Sequence, residues 1–351
     1  MTTPTSVIIL AAGKGTRMKS NLPKVLHSVG HLPMLFHVTR AGSAVNPQHI
    51  IAVVGHGSNK VEESCKTYCP ELELVLQEEQ LGTGHAVMQA EEVLSNFEGD
   101  IIILTGDCPL MTKEMVRNLL TAHQMGEYAI TFLSADINDP TGLGRVKRNH
   151  KNDVTGIVEH KDATDTELDI KEINTGLYVV KSSVLFELLK RVNNENSQGE
   201  YYLPDIIPLA LQQNLTVGTA HTEDGASLLG VNSRAQLAFA EGIFQQRERD
   251  KAMENGVTLQ APESVYFSWD TTIENETFIG PNVRFMEGVE IAQNCVIEGS
   301  CYLKNCVLEQ GSTLKPFCYI EDTIIASGRT TEPFTCIAPD ANIINKITSI
   351  S

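Results

Sequence analysis

Leu10-Ala11-Ala12-Gly13-Lys14-Gly15-Thr16-Arg17-Met18, closed five residues later by Pro23-Lys24, is the stretch on which the fold turns. It follows a short apolar run, Ser6 to Leu10, with the length and β-branching of a buried strand. The two glycines let backbone N–H groups approach a ligand that a Cβ would hold off. Arg17 and Lys24 add positive charge, so loop and charges together suit a nucleoside triphosphate. The spacing is not the P-loop pattern G-x-x-x-x-G-K-[ST], and the third glycine of the dinucleotide fingerprint is missing. Read alone, a glycine pair after a strand is equally a plain turn. Pro23, which fixes the loop, and the two basic residues tilt the reading towards nucleotide binding.

Composition narrows the setting. The 351 residues suffice for two domains or one large one, and 42% hydrophobic content is ordinary for a globular protein. Net charge is −17, from 44 acidic against 27 basic residues, which argues against a general nucleic-acid or anionic-membrane surface. No apolar run reaches the length of a transmembrane span, and Met1-Thr2-Thr3-Pro4-Thr5 lacks the regions of a signal peptide. None of the eight cysteines forms a C-x-x-C pair. Cys65 and Cys69, four apart on an expected helix, read as small half-buried residues rather than a metal pair. The expected setting is the reducing cytoplasm.

Working outward, short apolar runs alternate with amphipathic stretches. Ile50–Val54, Leu72–Leu76, Ile101–Leu104 and Ala129–Leu133 read as strands; Met34–Ala44, Val61–Cys69, Gly84–Leu94 and Lys113–Gln124 read as helices. This spacing predicts a parallel sheet with helices on both faces, whose ligands bind beyond the carboxyl ends of strands. The polar motifs do follow strands: Gly13 and Gly15, then Gln77, then Gly106-Asp107. Residues 136–230 are less regular, with strands expected over Val154–Glu159 and Ile173–Val180 and a helix over Val184–Val192. A long helix is expected from Ser233, its N-cap, to a stop at Asn255-Gly256. Its polar stretch from Gln245 to Lys251 is typical of a helix that bridges two domains.

Beyond Val257 the period changes. Ile273, Ile279, Phe285, Ile291, Ile297 and Leu303 recur every six residues; after a five-residue step come Leu308, Leu314 and Ile320, with Ile325 again five on. Four residues after most of these sits a smaller partner: Thr277, Val283, Val289, Cys295, Cys301, Val307, Ser312, Cys318. A six-residue repeat is that of a parallel β-helix with three sides per coil and the large aliphatic inward. Three cysteines thereby fall in the small inward slot. Ser327 to Thr331 breaks the rhythm, and Ile337 and Ile343 hint at its resumption, giving three to four coils.

Several residues have the chemistry of a phosphate site. Asp107, in Thr105-Gly106-Asp107-Cys108-Pro109 at a strand end, can hold Mg²⁺ against phosphate oxygens; the competing role, a helix cap, is better filled by Thr112. Lys24 and Arg17 are the candidate catalytic phosphate ligands, a point charge and a fork. Gln77 and Gly82-Thr83 offer the donors and acceptors that read a base, although Thr83 also reads as a helix cap. His85 reads as packing or capping rather than catalysis. Asn232 reads as a cap and Glu159 as an edge-strand charge.

The glycine-rich stretch with its Pro-Lys is similar to the signature of sugar-phosphate nucleotidyltransferases. Gln80-Leu81-Gly82-Thr83-Gly84-His85-Ala86, Gly156-Ile157-Val158-Glu159-His160-Lys161-Asp162 and Glu172-Ile173-Asn174-Thr175-Gly176 narrow it. Over about residues 5 to 330 the chain resembles the uridyltransferase half of the bacterial bifunctional N-acetylglucosamine-1-phosphate uridyltransferase/glucosamine-1-phosphate acetyltransferase. The resemblance implies an α/β fold: a Rossmann-like nucleotidyltransferase domain with a mixed sheet over 1–232, a linking helix over 233–256, and a short left-handed parallel β-helix with tail over 257–351. It implies nucleotide contacts from Leu10, Ala11, Ala12, Gly13, Lys24, Gln77, Gly82, Thr83 and Gly106. Gly144, Glu159, Asn174 and Tyr202 would hold the sugar, and Asn232 would join Asp107 on Mg²⁺. The substrates implied are UTP and N-acetylglucosamine-1-phosphate and the products UDP-N-acetylglucosamine and pyrophosphate, with a homo-oligomer, a trimer, built on the β-helix.

Two departures qualify this. Where the family carries Y-Y-[LI]-T-D, this chain has Tyr201-Tyr202-Leu203-Pro204-Asp205, and Pro204 offers neither hydroxyl nor N–H. That keeps a different sugar 1-phosphate open as the acceptor. The family's acetyl-transfer region also lies beyond the matched coils, and no His occurs after His221. The expectation is therefore uridylyl transfer by in-line attack, without acetyltransferase activity. The rival from another class, a non-catalytic sugar-nucleotide-binding oligomer, is disfavoured because Lys24, Asp107 and Asn232 are all present.

Overall fold

The computed structural model describes residues 3–339; Ile343 and the end of the tail lie outside the described residues. The chain divides into two compact units, Met1–His27 with Pro33–Leu237 and Ser28–Leu32 with Ala238–Ser351. The fold is α/β, a mixed sheet in the first unit and the parallel ladders of a β-helix in the second.

In the first unit β1 (Thr5–Ala11) lies between β2 (His49–Val54) and β4 (Asp100–Thr105), parallel to both, and β3 (Glu73–Leu76) extends the sheet beyond β2. Val7, Ile8 and Ile9 of β1 and Ile101 to Leu104 of β4 are fully buried. Burial of consecutive residues means that both faces are covered, which is why these strands read as unbroken apolar runs. Each such side chain contributes about 1.5–3 kcal/mol. On one face Gly42 of α1 (Met34–Gly42) packs against Val7 and Leu104. On the other, Ala86 and Val87 of α3 (Thr83–Met88), with Ala90, join Ile8, Ile101 and Ile103.

The sheet is mixed rather than all parallel. Following β5 (Ile130–Asp136), β6 (Arg145–Arg148) and β7 (Val154–Val158), β8 (Glu172–Lys181) runs antiparallel to both β4 and β5. The last strand, β9 (Val217–Thr222), is parallel to β5, and β6 and β7 form an antiparallel pair at the side of β8. β6, β9 and the helix Ile206–Gln212 fall in the stretch that lacked a clear period. The charges of Arg145-Val146-Lys147-Arg148 masked a strand whose Arg145 is 1% exposed. The helix expected over Gly84–Leu94 ends at Met88: hydrogen bonds from Gln89, Ala90 and Glu91 reach back three residues, tightening the chain into turns. Thr112 caps α4 (Lys113–Met125), accepting from Met115 N at 3.2 Å.

In the second unit the coil period is visible in the strand register. Phe278 pairs with Val296 and Arg284 with Tyr302, eighteen residues on; Val296 pairs with Thr313 and Tyr302 with Tyr319, seventeen on. The five-residue steps therefore shorten one side of a coil by one residue. Ile279, Phe285, Ile297, Leu303, Leu308, Leu314 and Ile320 are all fully buried. Val307 corrects the expected pattern: it is only partly buried, and the inward slot after Leu303 belongs to Cys306, 2% exposed. The shortened side brings the slot forward one residue, so four cysteines, Cys295, Cys301, Cys306 and Cys318, line the interior. Ile337 resumes the rhythm, pairing with Ile320 and packing on the same core. Corners recur in left-handed backbone at Glu276, Asn282, Gly288, Asn294, Ser300 and Asn305.

The long helix α7 runs over Arg234–Glu254, with Ser233 Oγ accepting from Gln236 N at 3.2 Å. Its polar stretch is not solvated throughout: Gln245 and Arg249 are buried. Gln245 is 2% exposed and bonds the backbone of Phe267 in both directions at 2.8 Å, and Arg249 Nε donates to Val265 O at 3.1 Å. No helix among the described residues is long and apolar enough to cross a membrane.

Candidate functional site

The loop after β1 is built so that Lys24 can fold back over the strand ends. Gly15 holds φ +59°, and a Cβ there would lie 2.7 Å from that of Lys24. Side chain and left-handed backbone both demand glycine. Pro23 then leads into a single 3₁₀ turn, Lys24–Leu26. The Lys24 ammonium donates to Asp107 Oδ2 at 2.6 Å and to Asn232 Oδ1 at 3.0 Å. Asp107 stands just past β4, and Val231 N donates to Asp107 O at 2.9 Å, clamping the 230–232 segment onto it.

A carboxylate and an amide oxygen thus converge on one cation, the Lys24 ammonium. Among the described residues no cluster of three or more His, Cys, Asp or Glu offers a metal cage. Two protein oxygens, completed by phosphate and water, fit Mg²⁺ better than a metal that needs a full set of protein ligands.

Beside this pair opens a cavity of about 410 Å³. Leu10, Ala11, Ala12 and Gly13 form one wall; Gln77, Gly82 and Thr83 form another, with Lys24 and Asp107 at the rim. Gly82 and Thr83 are held against the Tyr201-Tyr202-Leu203 stretch. Gly84 N donates to Tyr201 O at 2.8 Å and Leu203 N to Thr83 Oγ1 at 2.9 Å. A Cβ on Gly82 would sit 2.6 Å from Tyr201 O. Thr83 is therefore the first residue of α3 and not its cap. His85 bonds Gln77 through Nδ1 at 2.9 Å.

A smaller cavity, about 190 Å³, shares Leu10, Thr83 and Thr105 with the first. Gly144, Glu159 and Asn174 line it, together with Pro204. The ladder of β8 on β5 slips between Asn174 and Tyr178, a bulge that re-aims the Asn174-Thr175-Gly176 segment. Asn174 Oδ1 accepts from Gly176 N at 3.1 Å. Burial pushes the Glu159 carboxyl above its ordinary range, and the Asp205 charge adds to it. Pro204 sits in the first turn of a 3₁₀ helix, Leu203–Asp205, where its missing N–H breaks no ladder.

Four expected residues stand apart. Arg17 is exposed and lines neither cavity. Gly106 lies behind the wall, its N–H on Leu10 O at 2.9 Å. Tyr202 is 8% exposed and accepts from Gln198 Nε2 at 2.7 Å. Asn232 reaches the site only through Lys24. Conversely, Lys14, Gln80 and Glu200 line the larger cavity without having been singled out. Lys14 lay between the two glycines, and its position in the basic loop was the available signal. A larger cavity, about 950 Å³, opens at the opposite end of β4 beside Asp100 and His123, beyond reach of every motif. The described cysteines are free, and burial pushes Cys65 up to about 11 and Cys69 to about 12, as expected of inert packing thiols.

Residues 6–225 match the nucleotidyl transferase family, and residues 270–305 match the bacterial transferase hexapeptide family of six repeats. Similar proteins include the bifunctional protein GlmU of Streptococcus gordonii, 42% identical over 88% of this chain and 66% of its own length. The bifunctional protein GlmU of Streptococcus agalactiae serotype V is 45% identical, over 84% and 64%. That of Streptococcus uberis is 48% identical, over 76% and 57%. The chain thus spans less than two thirds of the length of the curated relatives it matches. These relatives uphold the resemblance read from the motifs. The expectation that acetyltransferase activity is absent finds no support in them, since each is named bifunctional. With the β1 loop, Gln77, Asp107, Glu159 and Asn174 all inside the matched span, the chain belongs to the nucleotidyl transferase family.

Proposed function

We propose that the first unit transfers a uridylyl group from UTP to N-acetylglucosamine-1-phosphate, giving UDP-N-acetylglucosamine and pyrophosphate. The observation that carries this reading is the Lys24 ammonium held between Asp107 and Asn232, with Lys24 and Asp107 at the rim of a nucleoside-sized cavity that adjoins a sugar-sized one. Asp107 and Asn232 would hold Mg²⁺, which when bound offsets negative charge on the phosphates.

The remaining work falls to the chain itself. The β1 loop and Lys24 bind the triphosphate, and Gln77, Gly82 and Thr83 orient the base. Gly144, Glu159 and Asn174 place the sugar so that an oxygen of its 1-phosphate lies in line with the α-phosphorus. That oxygen attacks, the bond to the β-phosphate oxygen breaks, and pyrophosphate leaves. The nucleophile is already anionic, so no general base is needed, and rate comes from positioning and charge neutralisation. Arg17, exposed on the same basic loop although it lines neither cavity, adds to the positive charge of that loop. The six-residue coils serve as a platform for self-association, a trimer by resemblance.

The test is Mg²⁺-dependent pyrophosphate release from UTP and N-acetylglucosamine-1-phosphate, with Asp107→Ala as control. Release equal in the two proteins, or absent from the wild type, overturns the reading. Pro204 in the wall of the smaller cavity favours one alternative, a different sugar 1-phosphate as acceptor. A panel of sugar 1-phosphates in the same assay separates the two.

A further inference from the structure

Gln77 follows β3, and its backbone N–H continues the ladder by donating to Val54 O at 2.8 Å. Its side chain is 2% exposed yet lines the cavity of about 410 Å³ beside Lys24 and Asp107. The amide nitrogen has two acceptors, Gly82 O at 3.2 Å and His85 Nδ1 at 2.9 Å. A backbone carbonyl can only accept, so Gly82 fixes which end of the amide is the NH₂. Both N–H bonds are then spent, and His85 Nδ1 carries the lone pair, its proton on Nε2. Gln89 also lies 3.3 Å from His85 Nε2, but its NH₂ is committed to His85 O at 3.0 Å. Among the described residues, Gln77 Oε1 has no hydrogen-bond donor.

We propose that His85 is a positioning residue that locks Gln77 with its carbonyl towards ring position N3 of the base, and so selects a pyrimidine whose N3 carries a hydrogen. The inference rests on the uridine reading of the cavity and deepens it. Uracil N3 bears a hydrogen and donates to Oε1. Cytosine N3 bears a lone pair and opposes it. A reversed amide would present NH₂ and invert the order. Discrimination between two pyrimidines of equal size then comes from the unmet polar group in the wrong complex, not from shape. His85 touches neither the base nor the phosphates in this arrangement; it acts through Gln77.

The experiment compares kcat/KM for UTP and CTP, with N-acetylglucosamine-1-phosphate and Mg²⁺, in the wild type, His85→Leu and His85→Asn. His85→Leu fills the volume without an acceptor, and His85→Asn restores a side-chain oxygen near the Nδ1 position. The UTP:CTP ratio is expected to fall roughly tenfold in His85→Leu, chiefly through KM for UTP, and to recover in His85→Asn. Melting curves verify folding, and His85→Ala carries the same test if the leucine variant does not fold. A wild type that prefers UTP, with the ratio unmoved in the folded variants, overturns this inference alone. A wild type that uses neither triphosphate overturns it together with the uridine reading.

Discussion

At the scale of single residues, the decisive observation is that one ammonium group satisfies both oxygens proposed for a metal. Lys24→Met should therefore do two opposite things. Turnover should fall by about 100-fold or more, the usual cost of losing a preorganised charge at a reacting phosphate. Affinity for Mn²⁺, read by electron paramagnetic resonance without nucleotide, should rise, because the competing cation is gone. Unchanged Mn²⁺ affinity would mean that Asp107 and Asn232 are not the metal's oxygens. Glu159 gives a second test. Its carboxyl is raised by burial, so the folded state holds the proton more tightly than the unfolded chain. Stability should then fall as pH rises out of the ordinary carboxylate range. Glu159→Gln should melt above the wild type near pH 7, with the difference closing towards about pH 4, while KM for the sugar phosphate rises. Lys24 and Asp107 were legible in the sequence because a charge beside glycine or at a strand end has few bland explanations. Arg145 was not: no local pattern marks a buried arginine whose partner is a backbone carbonyl of its own loop.

Among the elements, α7 shows how polar composition misleads. Gln245 to Lys251 has the look of a solvated face, yet Gln245 completes the Phe267 backbone as a neighbouring strand would. Gln245→Leu leaves a buried N–H and a buried carbonyl without partners and should cost about 3 kcal/mol in the unfolding of the second unit, measured by denaturant titration. Gln245→Ala with an unchanged midpoint would show that water replaces the amide. Corners of the β-helix offer the reverse. Glu276 stands in left-handed backbone where the corners at 282, 294 and 305 carry asparagine and that at 288 carries glycine. Glu276→Asn should stabilise by about 0.5–1 kcal/mol, seen as a higher melting temperature. The β-helix was legible because its period is unlike any other; the slot at Cys306 was not, because a five-residue step can drop its missing residue on either side of a corner.

For the whole molecule, charge and topology act together. A net charge of −17 implies self-repulsion that salt screens. Raising NaCl from about 10 to about 200 mM should raise the melting temperature by a few degrees, and a fall would show that specific ion pairs outweigh the repulsion. The central strands of the sheet were readable because they are buried on both faces. The antiparallel β8 was not, since strand direction leaves no trace in apolar periodicity. Its reversal matters to the site: the bulge at Asn174 lies near the start of β8, opposite the end of the parallel β4, so sugar and phosphate chemistry meet at one edge of the sheet.

The register of the second unit carries a consequence for how such a chain can change in length. Each rung lies on its counterpart seventeen or eighteen residues away, and the missing residue in the shorter coils is absorbed at a corner. Loss of one residue within a flat side would turn every aliphatic beyond it from the interior to the outside. Growth and shrinkage are therefore quantised, like storeys in a tower. Deletion of a complete storey, such as one Val296-to-Thr313 interval, should leave a soluble protein with an unaltered far-ultraviolet spectrum, whereas deletion of half of one should not.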